Sequence, residues 1–150
     1  MNWQKFYNPI ALSLLHSPLH RLLDEQTLAI TVTGRRSGRD YTLPVSYLRD
    51  GENLLVISEK DRTWWKNLRG GAPVTIFLNG RRLQARGEAF VDLESVYKIL
   101  LVILRTAPTY QRLLHMKLDV LGQPEDFAAL KRLAEAHVVI RLKELAAQAA

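Results

Sequence analysis

The chain has 150 residues, 47% of them hydrophobic and 24% charged, a composition typical of one globular domain with a substantial core. It contains no cysteine, which excludes disulfides, thiolate nucleophiles and thiolate metal sites. No stretch approaches the ~20 apolar residues of a membrane-spanning helix, and the N-terminus lacks the order of a secretory signal, so we expect a cytoplasmic protein. The 21 Lys and Arg outnumber the 15 Asp and Glu, so the surface should attract anions.

The positive charge is concentrated in two short clusters, at residues 35–39 and 80–82, and both lie at predicted turns. Nucleic acid, acidic lipid and phosphorylated cofactors are all anions that such charge would attract. A nucleic-acid track needs basic residues spread along a face, whereas clusters at turns favour a local phosphate site. We therefore predict a phosphorylated small molecule, and no nucleic acid, as the partner.

The first half of the chain is predicted to be mainly β-structure. Residues 1–26 carry apolar residues at helical spacing, interrupted by Pro9 and Pro18, which predicts two short helices that form a lid or contact a membrane. Residues 27–91 carry β-branched runs separated by turn signals such as Asp50-Gly51 and Asn79-Gly80. A helical turn is expected at residues 62–68. The expected strands are residues 27–33, 41–48, 53–58, 74–79 and 83–91.

The second half is predicted to be helical until the last strand. Asp92 is the expected cap of the first helix in residues 92–135, Pro108 interrupts the helical pattern, and further helices are expected near residues 110–118 and 125–134. Residues 136–142 supply a sixth strand that closes the sheet. The sequence thus predicts a single α+β domain, a small and mainly antiparallel barrel flanked by helices. A Rossmann or P-loop fold is excluded because its alternation and glycine signatures are missing.

The first motif whose residue types can bind a ligand is the segment Thr33-Gly34-Arg35-Arg36-Ser37-Gly38-Arg39. Its two glycines let backbone amides approach a phosphate, the arginines supply paired donors, and the serine adds a hydroxyl. An anion should therefore fit there. The alternative interpretation is an ordinary solvated basic turn.

The second motif is the tryptophan pair in Arg62-Thr63-Trp64-Trp65-Lys66-Asn67-Leu68. Adjacent residues of a helix point about 100° apart, so one indole can enter the core while the other faces a groove and stacks on a planar ligand. Alternatively, both indoles are core anchors. The four histidines show no convincing metal-ligand spacing, and no metal site is predicted.

Together these pieces resemble a known family. The run TVTGRRSGRDYTLPVSYLRDGENLLVIS followed by RTWWKNLRGGAPVTIFLNGRR is similar to the deazaflavin (F420)-dependent nitroreductase and quinone reductase family, within the split β-barrel flavin and pyridoxamine-phosphate oxidase superfamily. The resemblance covers roughly residues 8–92. It implies a six-stranded split β-barrel, coenzyme F420 as cofactor and hydride transfer to a quinone, nitroaromatic or enone.

The resemblance also implies a set of site residues. Arg35, Arg36 and Ser37 would bind the phosphate or acidic tail, Pro44, Val45 and Ser46 would run beside the ring system, and Trp64 would wall the redox pocket. Ser58, Trp64 and Tyr110 are the candidate catalytic residues. The complete cofactor-binding set is Gly34, Arg35, Arg36, Ser37, Gly38, Tyr41, Pro44, Val45, Ser46, Ser58, Trp64, Trp65 and Asn67.

Alternatives remain open at this stage. The same barrel in the wider superfamily holds FMN, so an FMN-dependent reductase is the first alternative. A non-catalytic protein that binds a flavin or F420 is the second. A basic surface that contacts nucleic acid or, peripherally, an acidic membrane is the third. The resemblance is compatible with either a monomer or a homodimer.

Overall fold

A computed structural model describes residues 27–145 of the chain. The strands in this part are β1 (Thr27–Thr33), β2 (Asp40–Ser46), β3 (Leu48–Asp50), β4 (Asn53–Glu59), β5 (Ala72–Leu78), β6 (Arg81–Phe90) and β7 (His137–Glu144). A 3₁₀ helix (Trp64–Leu68) lies between β4 and β5. Between β6 and β7 lie the helices α1 (Leu93–Thr106), α2 (Pro108–Leu113) and α3 (Phe127–Ala136). The helices predicted within residues 1–26 lie outside the described residues.

The sheet contains seven described strands, so the predicted number of six was wrong by one. The segment predicted as a single strand at residues 41–48 is divided at Tyr47, which is buried. β2 pairs with β1 along its whole length, whereas β3 pairs with β4. The chain therefore changes its pairing partner at Tyr47, a change that side-chain alternation alone does not reveal.

Several predicted helix boundaries were also wrong: the 3₁₀ helix begins at Trp64 instead of residue 62, and α2 and α3 are displaced at both ends. α2 ends at Leu113 instead of continuing to residue 118, since His115 adopts a left-handed backbone conformation (φ 54°) that a right-handed helix cannot contain. α3 begins at Phe127 instead of residue 125 because Asp126 caps it. The Asp126 carboxylate accepts a hydrogen bond from the amide of Ala129 at 3.0 Å.

The strands form one antiparallel sheet in the order β2-β1-β5-β6-β7-β4-β3. β2 and β4 are not neighbours in this order, yet they contact each other, so the sheet curls into a half-barrel. This architecture confirms the predicted fold class, a mainly antiparallel split β-barrel with flanking helices.

Alternate residues of the strands fill the inside of the curl with a single apolar core. β7 shows the alternation clearly, because Val138, Ile140 and Leu142 join this core while Val139 packs on the other face. The remaining interior residues include Leu28, Ile30, Val32, Leu43, Leu54, Val56, Val74, Ile76 and Ala85. The 3₁₀ helix adds Trp64, Trp65 and Leu68 to the same core, so it is anchored on the barrel interior.

The helices cover the outer face of β4 and β7. Val139 packs there with Val96 and Leu100 of α1 and with Leu130 of α3. Leu55 of β4 packs in a neighbouring cluster with Ile103 of α1. The helical layer and the barrel interior therefore lie on opposite faces of the same two strands.

Strand register divides the sheet into two ends. The pairs Thr33↔Asp40 and Glu59↔His137 place the turn after β1 and the end of β4 at one end, which we call the site end. The 3₁₀ helix joins β4 to β5 at the same end, since β5 begins alongside the end of β1. The hairpin that carries Arg81 lies at the opposite end of the sheet.

Candidate functional site

Residues 34–39, which we call the basic turn, form a closed loop at the site end. The Gly34 amide donates to the Arg39 carbonyl at 2.8 Å, and the Gly38 amide donates to the Gly34 carbonyl at 2.8 Å. Gly38 has a φ of 69°, a conformation that glycine adopts without strain. The sequence therefore fixes the turn through its two glycines and the backbone bonds that they make.

Gly34 is required for a different reason, which is space. A Cβ atom there would lie 2.7 Å from Ser37 Oγ and 2.8 Å from Tyr41 Cε2, closer than real contacts allow. Ser37 Oγ lies 2.9 Å from Tyr41 Oη and accepts a hydrogen bond from the Arg39 amide at 3.2 Å. Ser37 and Tyr41 thus brace the turn from inside.

Several hydrogen-bond donors of the basic turn have no acceptor among residues 27–145. The backbone amides of Arg36 and Ser37 donate to no described group, and successive free amides in a tight turn form an anion-binding concavity. The side chains of Arg36 and Arg39 are exposed and make no hydrogen bond or ion pair with residues 27–145. Two amides and two guanidinium groups are therefore available to an anion.

Arg35 is engaged within the protein, unlike its two neighbours. Its guanidinium donates to the carbonyl of Arg69, and its amide donates to Asn67 Oδ1 at 3.1 Å. No local sequence pattern predicts these contacts, because Arg69 and Asn67 lie more than thirty residues further along the chain. Arg39, which was absent from the predicted cofactor-binding set, is in contrast one of the available side chains.

Trp64 and Ser58 meet inside the barrel. The indole Nε1 of Trp64 donates to Ser58 Oγ at 3.2 Å, and that hydroxyl donates to the Glu59 carbonyl at 3.2 Å. Trp64 is 3% exposed and Ser58 is 5% exposed. The structure therefore brings together two of the three candidate catalytic residues as a buried, hydrogen-bonded pair.

Trp65 is also buried, at 1% exposure, so both indoles are core residues in the described structure. This agrees with the alternative interpretation of the tryptophan pair. The Arg69 guanidinium carbon lies 5.0 Å from the centre of the Trp65 ring and Lys66 Nζ lies 6.0 Å from it, a cation–π arrangement. The Trp65 Nε1 atom is buried and has no described acceptor.

The other predicted site residues lie along β2 and in the helical layer. Tyr41 and Val45 are half-buried against the barrel core, whereas Pro44 and Ser46 lie on the other face of the strand. β2 runs about 20 Å from the basic turn to Ser46, at ~3.3 Å per residue. Tyr110 is not brought to this site, because it packs on the outer face of β4 among the helices.

Within residues 27–145 no group of three His, Asp or Glu side chains is arranged to hold a metal ion. No helix in that range is both long enough and apolar enough to cross a bilayer.

Comparison with known proteins identifies the family. The family model described as F420H(2)-dependent quinone reductase matches residues 17–113, which include the basic turn, the tryptophan pair and Tyr110. No curated protein matches the chain.

Several solved structures resemble the fold. The flavocytochrome Anf3 from Azotobacter vinelandii has 11% identity and a TM-score of 0.50, covering 91% of this chain and 64% of its own. A candidate pyridoxamine 5′-phosphate oxidase from Listeria innocua has 14% identity and a TM-score of 0.48, covering 79% and 83%. An F420 reductase has 16% identity and a TM-score of 0.46, covering 89% and 92%. Because the family match extends over more than half of the chain, the protein belongs to the F420H2-dependent quinone reductase family and is an F420-dependent oxidoreductase.

Proposed function

We propose that the basic turn holds the phosphodiester of reduced F420 and that the bound cofactor serves the reduction of a small electron-poor acceptor, a quinone, nitroaromatic or enone. The observation that carries this proposal is that the arginines of the basic turn differ in their contacts with the rest of the protein. Arg35 fixes the turn to the body of the protein, while Arg36 and Arg39 remain exposed beside two unengaged amides.

This set of donors fits a phosphodiester. Arginine and backbone amides make charge-assisted hydrogen bonds to phosphate oxygens, and such bonds are shorter and stronger than neutral ones. The turn is held in its shape by its own backbone bonds and by Ser37 and Tyr41, so little ordering is needed on binding. Lys60 and Arg62 lie at the same end of the sheet and add attraction for an anionic tail.

β2 is long enough to place the cofactor's phosphate-bearing tail at one point of the strand and its deazaflavin ring at another. A phosphate on the basic turn leaves β2, an edge strand of the described sheet, to run beside the deazaflavin ring with the backbone of Pro44, Val45 and Ser46. Ser58 and Trp64 then act as a rigid wall, since the one hydroxyl hydrogen and the one indole hydrogen are already donated within the protein. Tyr110, packed among the helices, has no direct role in this proposal.

When bound, the reduced deazaflavin supplies a hydride. The chain's own residues bind the tail, orient the ring along β2 and exclude water with the Trp64 wall.

The proposal is tested by turnover of reduced F420 with a soluble quinone, a nitroaromatic and an enone, followed through the absorbance of the oxidised cofactor. The variant is Arg36→Ala/Arg39→Ala. The control Arg81→Ala/Arg82→Ala removes the same charge at the opposite end of the sheet. Losing charged hydrogen bonds worth about 1.5–3 kcal/mol should lower kcat/KM for the reduced cofactor by roughly 10- to 100-fold, while the control stays near wild type.

Two results would contradict the proposal. The first is no turnover with any of the three acceptor classes although the cofactor binds, which indicates a carrier. The second is an equal loss of kcat/KM in the variant and the control, which indicates that overall charge, and not the basic turn, attracts the cofactor.

A further inference from the structure

We propose that Asn67 is a positioning residue that joins the basic turn to Trp64. The site for the cofactor's tail and the site for its ring then form one rigid unit. This inference rests on the proposed function and deepens it. Asn67 was predicted to bind the cofactor directly; here it acts by holding Arg35 and Trp64 in place.

Both ends of the Asn67 amide are used inside the protein. Its Oδ1 atom accepts a hydrogen bond from the Arg35 amide at 3.1 Å, and its Nδ2 atom donates to the Trp64 carbonyl at 3.1 Å. Asn67 is half-buried, so these bonds are shielded from water on one side. The side chain therefore spans from the start of the basic turn to the first residue of the 3₁₀ helix.

The link continues at both sides. The Arg35 guanidinium makes a second tie to this segment at the Arg69 carbonyl. At the other side, Trp64 is fixed to β4 through Ser58 Oγ. A continuous series of hydrogen bonds thus runs from the basic turn through Asn67 and Trp64 to the barrel wall.

This arrangement predicts a specific effect of breaking the link. Without the Asn67 amide, the basic turn loses one of its two ties and shifts relative to Trp64. A ligand that binds both to the basic turn and beside Trp64 then loses affinity, because it can no longer make both sets of contacts at once. The affinity of a ligand that binds beside Trp64 alone does not change.

The test compares F420 with the same deazaflavin lacking its phosphodiester tail. Asn67→Ala is the variant, and Asn53→Ala at the opposite end of the sheet is the matched control. We expect Asn67→Ala to raise the Kd for F420 by about tenfold while the Kd for the tail-less deazaflavin changes by less than roughly twofold. Asn53→Ala should leave both values unchanged.

A ligand-free readout accompanies the titrations. Amide hydrogen exchange of Arg35, measured by NMR, should be slow in the wild type and faster in Asn67→Ala. Asn67→Asp keeps an acceptor oxygen for the Arg35 amide, so its exchange should stay slow. Asn67→Leu has a similar size but offers no acceptor to the Arg35 amide, so exchange of that amide should be faster, and this variant preserves the exchange test if Asn67→Ala does not fold.

Three outcomes separate the possible failures. Equal weakening of both ligands in Asn67→Ala, or an Arg35 amide that exchanges as slowly in the variants without the acceptor oxygen as in the wild type, would overturn this inference alone. Absence of F420 binding by the wild type would overturn the proposed function and the cofactor part of this inference together. Loss of F420 binding in Asn53→Ala would show that the effect is not specific to the Asn67 link.

Discussion

The buried pair of Ser58 and Trp64 gives a quantitative prediction for stability. Ser58→Ala removes the acceptor of the Trp64 Nε1 hydrogen bond, and the indole, 3% exposed, cannot turn to water instead. An unsatisfied buried donor costs about 1–3 kcal/mol. For a chain of this size such a loss lowers the Tm by roughly 3–10 °C.

A double-mutant cycle isolates the hydrogen bond from the change in packing. Trp64→Phe keeps an aromatic ring but removes the donor, so Ser58→Ala should cost less in that background than in the wild type. The expected coupling free energy is about 1 kcal/mol, measured by urea denaturation of the four proteins. Trp65→Phe is the matched control, because the Trp65 Nε1 atom has no described acceptor and should show no coupling to Ser58.

The reasoning would be refuted by additive costs. If Ser58→Ala destabilises the wild type and the Trp64→Phe protein equally, within ~0.3 kcal/mol, the hydrogen bond does not stabilise the fold. Coupling of the same size between Ser58 and Trp65 would indicate a general packing effect instead.

Two further predictions concern the basic turn and α1. Gly34→Ala should raise the Kd for F420, because the added Cβ displaces the side chains of Ser37 and Tyr41. Gly51→Ala, in the distant β3–β4 hairpin, is the control and should lower stability without changing that Kd. Equal Kd values for Gly34→Ala and the wild type would contradict this prediction. The Ser95 amide hydrogen bond lowers the pKa of the Asp92 carboxylate at the start of α1, so the folded state favours the ionised form. The stability difference between the wild type and Asp92→Ala should therefore be complete at neutral pH and shrink as pH falls through that lowered pKa; a pH-independent difference in urea denaturation would contradict it.

Much of the barrel was predictable because its signals are local. β1 occupies Thr27–Thr33 as predicted, since a β-branched run ends there at a glycine. The Asp50-Gly51 pair forms the expected hairpin between β3 and β4, with Gly51 in the left-handed conformation. Such features depend on a few adjacent residues.

The errors have causes that local periodicity does not show. The break at Tyr47 arises because β2 and β3 pair with different strands, which is a property of the whole sheet. The early end of α2 depends on His115, a non-glycine residue with a positive φ that its sequence neighbours do not announce. Neither can be inferred from local periodicity.

The sequence predicted which residues make up the basic turn better than it predicted what each of them contacts. The cluster of glycines and arginines predicted the position of the basic turn, and the binding of an anion there stays a prediction. The separation of Arg35 from Arg36 and Arg39 depends on the Arg69 carbonyl and the Asn67 amide, which reach the turn only in the folded chain. The three-dimensional arrangement also separates Tyr110 from Ser58 and Trp64, although all three were predicted as candidate catalytic residues.

The central claim, that the basic turn holds the phosphodiester of the cofactor, is tested most directly by fluorescence titration. The wild type, Arg36→Ala/Arg39→Ala and Arg81→Ala/Arg82→Ala are each titrated with oxidised F420 and with the deazaflavin that lacks the tail. We predict that the wild type and the Arg81/Arg82 variant prefer F420 by at least about tenfold, and that the Arg36/Arg39 variant loses this preference. A preference that survives in the Arg36/Arg39 variant, or is lost equally in the Arg81/Arg82 variant, would contradict the account.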